Sequence, residues 1–238
     1  MSIAAAPKDP EDLGHARPIR DAATTVLIRR DGPKPQVLMG QRGAGAAFMP
    51  NKFVFPGGAV DSGDAQVPLS RPLATADRAR LTALPVTETP PPPEAMIAAA
   101  VRELWEEAGL MLGAPGDWAG PVHADWQAFA HAGLCPDPTA LSFIFRAVTP
   151  PGRTRRFDAR FFLADAAALR GDPDDFSAAC DELSHLHWIA LDEARGLDLP
   201  FITEVVLAEA AALIAGETAP GVPFFDNSGP ISTFRRLD

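Results

Sequence analysis

Arg102-Glu103-Leu104-Trp105-Glu106-Glu107-Ala108-Gly109-Leu110 is the stretch that decides how this chain is read. It sets three carboxylates, Glu103, Glu106 and Glu107, at i, i+3 and i+4. At 3.6 residues per turn they share one face of a helix. Like charges so placed weaken a helix by about 0.2–0.5 kcal/mol per pair. Two explanations fit such a cluster. One is a solvated acidic face. The other is a hard divalent cation, which carboxylate oxygens hold and bridge to substrate phosphates.

The neighbouring residues give the helix an inside and an outside. Ile97, Val101, Leu104, Trp105 and Ala108 fall on one stripe, opposite the glutamates. Gly109 is the residue able to take positive φ where the helix should stop. Upstream, Phe53 to Phe55 reads as the end of a strand, and Phe55-Pro56-Gly57-Gly58 follows. Two glycines there allow a sharp turn and a close backbone approach to a ligand.

Taken together, F-P-G-G at 55–58 and E-x7-R-E-L-x-E-E-x-G-L at 94–110 resemble the Nudix hydrolase family. That family's box runs glycine, five residues, an acid, seven residues, then R-E-x-x-E-E-x-G. Here Gly58 is followed by five residues and Asp64, while Glu94 is followed by seven and Arg102. The box is split by a 29-residue insertion, 65–93, and two residues compete for one acidic position. The helix register points to Glu94, leaving Asp64 near the loop apex.

The resemblance implies an α/β fold, an α/β/α sandwich with a mixed sheet between helices. It also implies hydrolysis of a diphosphate linkage in a nucleoside diphosphate joined to a group X. Glu103, Glu106 and Glu107, with the carbonyl of Gly57, would hold Mg²⁺ or Mn²⁺. Glu106 or Glu182 would take the proton of the attacking water. Arg102 would orient the glutamates, with Glu94 as its partner. Gly58, Arg42, Phe48 and Arg153 are the expected substrate contacts. An insertion at this point resembles the branch that includes peroxisomal coenzyme A and acyl-coenzyme A diphosphatases, as do Phe48-Met49-Pro50 and residues 155–162. Coenzyme A or its thioesters are therefore candidate substrates, with ADP-ribose and nucleotide sugars still open. A non-catalytic, ligand-sensing Nudix module is the competing class; it should show a broken glutamate set, and the set here is complete. Related enzymes often form homodimers.

The 238 residues suffice for one elaborated domain, and 47% of them are apolar. A net charge of −10 argues against nucleic acid, whose non-specific binding relies on Lys and Arg. No apolar stretch is long enough to span a bilayer. The N-terminus has no apolar core of a signal peptide, so a cytoplasmic location is expected. Cys135 and Cys180 make no disulfide framework and are expected to be free.

Residues 1–20 read as a tail, 21–216 as the domain, and 217–238 as a second tail packing on this chain or on a partner subunit. Strands are expected at Ala22 to Arg30, Gln36 to Gln41, Leu141 to Val148, Phe157 to Ala164 and Leu183 to Leu191. Short helices are expected at Leu73 to Leu84 and at 123–133, and a longer one at Phe201 to Ala215. Pro90 to Pro93 reads as a stiff spacer delivering the chain to the glutamate helix. Arg153, Arg155, Arg156 and Arg160 are either a phosphate clamp or a hairpin whose arginines pair with nearby acids. His185 and His187 alternate along a strand, which would put both on one face.

Overall fold

The computed structural model describes residues 18–217 and 220–238. Of the expected tail 1–20, residues 1–17 lie outside this range, and Ile19 and Arg20 already belong to the first strand. Strands β1 (Ile19–Arg29), β2 (Gln36–Arg42), β3 (Phe53–Val54) and β4 (Gly57–Ala59) come first. Helices α1 (Thr75–Thr82) and α2 (Pro93–Ala108) follow. Short strands β5 (Met111–Leu112) and β6 (Ala114–Pro115), helix α3 (Gln127–His131) and strand β7 (Leu134–Cys135) lead on to β8 (Ser142–Val148) and β9 (Arg156–Asp165). The chain ends with β10 (Leu169–Arg170), β11 (Leu183–Ala190), α4 (Phe201–Ile214), β12 (Val222–Asp226) and β13 (Thr233–Leu237).

One mixed sheet runs β11-β2-β1-β9-β8-β12-β13, with β3 on β2 and β4 on β1. β1 runs parallel to β9 and β8 parallel to β12; the other pairings are antiparallel. Alternation along β1 explains the layers. Ala23 and Leu27 pack with α2, and Val26 and Ile28 join the cluster that α4 covers. The Thr25 hydroxyl donates to the Ala100 carbonyl at 2.9 Å, tying β1 to α2. The result is the expected α/β/α sandwich. Among the described residues, no helix is long and apolar enough to cross a membrane.

Local chemistry sets the ends of α2. Pro92 is extended and Pro93 opens the first turn, where its missing N–H costs nothing. Gly109 closes the helix with φ 70°, its N–H donating to Trp105 O at 2.8 Å. The insertion is fastened rather than hanging free. Leu73 and Leu81 are buried in the α2 core, and Ser70 N donates to Pro136 O at 2.9 Å. Arg146, fully buried on β8, donates to the carbonyls of Ala83 and Leu84 at 2.7 and 3.1 Å.

The structure departs from three expectations. Residues 217–238 were expected to be a tail; they contain β12 and β13, which extend the sheet beyond β8. His185 and His187 do not share a face, because β11 bulges between Ser184 and His187 and His185 takes φ 52°. One extra residue reverses the alternation at that point. Glu94 does not reach Arg102. The two lie eight positions apart, about 12 Å along the helix, and Glu94 pairs instead with Arg78 of α1.

Candidate functional site

The C-terminal half of α2 presents its charged face to β4 and to the 3-10 turn over Ser62–Gln66. Arg102 is at the centre, only 5% exposed. Its Nε and Nη2 fork onto Asp64 at 2.9 and 3.0 Å. Nη2 also donates to Ala59 O at 3.0 Å, and Nη1 donates to Glu103 at 2.9 Å and to Glu106 at 3.1 Å. Every guanidinium donor is used. The acid that holds Arg102 is therefore Asp64, itself 2% exposed. Its spacing five residues after Gly58 was the available signal. The insertion leaves the site after Asp64 and returns at Pro93.

Glu107 is buried beneath β4, where its Oε2 accepts the Gly57 N–H at 2.7 Å. It is the amide of Gly57 that is seen to make this contact. Glu103 lies against Gly58: a Cβ there would stand 2.5 Å from the Glu103 carboxyl. A Cβ on Gly57 would stand 2.5 Å from Thr24 Oγ1. Both glycines are thus set by close approach. Glu106 lies on the more open side of Arg102, at 34% exposure, and its backbone carbonyl accepts the Cys180 N–H at 2.8 Å.

Burial raises all three carboxyl pKa values. For Glu103 desolvation dominates, offset by Arg102 and reinforced by Glu106 and Glu182, and the pKa rises to about 7. Desolvation also lifts Glu106, against the pull of Arg102. It holds Glu107 well above the usual range despite the Gly57 amide. One guanidinium faces four acids, so burial keeps part of the cluster protonated unless a further cation is present. Among the described residues, no three His, Cys, Asp or Glu side chains already converge as a finished metal cage. The donor set nonetheless fits a hard divalent cation: carboxylate oxygens, under-neutralised and partly desolvated.

Beside this cluster is a polar cavity of about 490 Å³. Glu103, Gly57 and Gly58 line one part of its wall, and Arg20, Arg42 and Arg155 supply positive charge. Glu182 lines it as well, exposed and bonded to Arg42 Nη1 at 3.0 Å. Phe48 lines it and packs edge-on against Phe157, with ring centroids 5.4 Å apart. Arg153 is exposed on the wall of a neighbouring apolar cavity. The arginine group therefore divides. Arg156 is buried on the carbonyls of Thr149 and Asn227, and Arg160 is buried on Asp21 and Asp158. Arg153 and Arg155 remain at the surface. Arg20, read as tail, is a cavity residue the sequence did not single out.

No family model matches the chain. A solved NUDIX hydrolase from Alicyclobacillus acidocaldarius is 31% identical, with a TM-score of 0.59, over 85% of this chain and 94% of its own. Two curated proteins are also similar. The acyl-coenzyme A diphosphatase NUDT19 of Gallus gallus is 28% identical over 74% of this chain and 62% of its own length. The putative nudix hydrolase 7 of Caenorhabditis elegans is 28% identical over 74% of this chain and 54% of its own. The chain thus matches less than two thirds of the length of these two relatives.

Proposed function

This chain belongs to the Nudix hydrolase family, and on that premise we propose that it cleaves a diphosphate linkage in a nucleoside diphosphate joined to a group X, with coenzyme A or an acyl-coenzyme A as the first candidate. The observation that carries the reading is the cluster of acids around Arg102, one of which, Glu103, lies on the wall of a cavity rimmed by Arg20, Arg42 and Arg155. The name of the Gallus gallus relative supports the choice of coenzyme A.

Glu103, Glu106 and Glu107, with the carbonyl of Gly57, would hold Mg²⁺ or Mn²⁺. Such an ion supplies charge neutralisation at phosphoryl oxygens and acidifies water. The chain's own groups do the rest. Arg42 and Arg155 bind the non-bridging phosphate oxygens, Arg42 exchanging its bond to Glu182 for a phosphate. Gly58, having no side chain, leaves room for Glu103 beside the substrate. Arg102 positions the glutamates and does not touch the substrate. Phe48 and Arg153 contact the group X. Glu106 or Glu182 accepts the proton of the attacking water on a carboxylate oxygen; Glu182 lines the cavity, whereas Glu106 shares Arg102.

The test is incubation with coenzyme A, an acyl-coenzyme A, ADP-ribose, a nucleotide sugar and a dinucleoside polyphosphate, each with and without Mg²⁺ or Mn²⁺. Products are identified by mass spectrometry. The expected result is metal-dependent hydrolysis of one P–O–P bond in at least one compound, giving two phosphorylated products. Intact substrates throughout would overturn the reading and favour a ligand-sensing module.

A further inference from the structure

The polar cavity opens beside a second one, of about 440 Å³, and the two share Arg42, Phe48, Gly57, Gly58 and Phe157. The second lies on the sheet face covered by α4, and its character is different. Phe55, Phe161, Ile202 and Phe225 make much of its wall. Three of the polar side chains in that wall, Thr149, Asn227 and Ser232, are engaged with the protein. Asn227 accepts from Ser232 and donates to Val148 O at 2.9 Å, and Thr149 Oγ1 accepts the Phe157 N–H at 3.0 Å. At the rim Phe201 is 68% exposed, edge-on to Phe225 at 6.5 Å.

Sugar hydroxyls or base edges placed here would give up water for few partners, and such losses are heavily penalised in a buried site. A hydrocarbon loses nothing and gains roughly 4-fold in affinity per buried methylene. The size is that of an ordinary small-molecule pocket. The β12–β13 segment, outside the split box, contributes Phe225, Asn227 and Ser232.

We infer that this apolar cavity is the subsite for a hydrocarbon group carried by the diphosphate substrate, and that Phe225 with Phe201 makes the protein select for it. The inference rests on the polar cavity being the diphosphate site. It separates substrates that the split box treats alike: a diphosphate bearing an alkyl or acyl tail is preferred over one bearing a sugar.

Coenzyme A and octanoyl-coenzyme A share one diphosphate and differ only in the tail, so they form the test pair, with ADP-ribose as the sugar-bearing control. Binding is measured by calorimetry in EDTA, and kcat/KM in Mg²⁺. The octanoyl compound should bind at least ~10-fold more tightly than coenzyme A, since three buried methylenes already suffice. ADP-ribose should bind most weakly. Phe225→Ala and Phe201→Glu should each pull the octanoyl-to-coenzyme A ratio towards one. Phe201 is exposed, so its variant tests the idea even if Phe225→Ala does not fold. Equal binding of the pair to the wild type, or a preference that survives in Phe201→Glu, overturns the inference. Tail-dependent binding without hydrolysis of any diphosphate would leave the subsite standing and remove the proposed reaction instead.

Discussion

Among the described residues, two buried clusters of arginine and carboxylate differ in their charge balance. Arg146 and Arg160 face Asp158 and Asp21, two cations against two anions, all nearly inaccessible to water. Arg146 is further held by two backbone carbonyls and lies 4.2 Å above the Phe224 ring. Arg102 by contrast faces Asp64, Glu103 and Glu106, with Glu107 behind. The balanced cluster has its charge met from within and bolts the insertion to the sheet. The unbalanced one leaves charge for something else to meet. A buried ion cluster is thus informative about function chiefly through what it fails to neutralise.

The largest expected effect comes from removing charge on the unbalanced side. Glu106→Gln and Glu103→Gln should each lower metal-dependent turnover by about 10²–10⁴-fold, measured as kcat/KM on whichever diphosphate is cleaved. The fold should survive, because a like-charge contact is relieved. Wild-type turnover in Glu106→Gln would remove it from the site. Next in size is Arg146→Met on the balanced side. It leaves Asp158 short of a partner and should cost about 3–5 kcal/mol of stability, read from urea midpoints. An equally stable variant would show that the cluster is not needed to hold the insertion.

Metal separates the clusters again. Saturating Mg²⁺ or Mn²⁺, at about 100 times Kd, should stabilise the wild type by about 2.7 kcal/mol. Glu103→Gln should lose most of that gain, whereas Arg146→Met, if folded, should keep it. The last difference is in pH dependence without metal. The Glu103 carboxyl rises from 4.5 to about 7 on folding, so the folded state binds more protons between those values. Stability in EDTA should therefore fall as pH rises from about 4.5 to about 7. Unfolding in urea at pH 5 and pH 8 measures the difference, and Glu103→Gln should flatten part of the slope.

How much of this could be read beforehand follows from the range of each interaction. The i, i+3, i+4 glutamates, the αL cap at Gly109 and the proline entry to α2 are local, and periodicity and cap chemistry reveal them. Strands mixed with two main helices pointed to a mixed sheet between helices; the α/β/α sandwich itself was what the family resemblance implied. Arg102's partner was misjudged because Glu94 is near in register while Asp64 comes near only through the fold. The bulge at His185 could not be read, since an extra residue in one strand becomes visible only against its partner strand. Phe225 and Ser232 could not be connected to the site from sequence either. They reach it because β12 pairs with β8, a contact across almost eighty positions.

The fastening of the insertion at both of its ends has a practical consequence. Asp64 is clamped at its start and Pro93 is fixed at its end, so the segment between is a closed detour whose ends are already secured. Doubling such a loop costs only about 0.6 kcal/mol. Its exposed stretch Glu88 to Pro90 is accordingly where a fluorophore, an affinity handle or a whole guest domain could be spliced in with the acidic face of α2 left undisturbed.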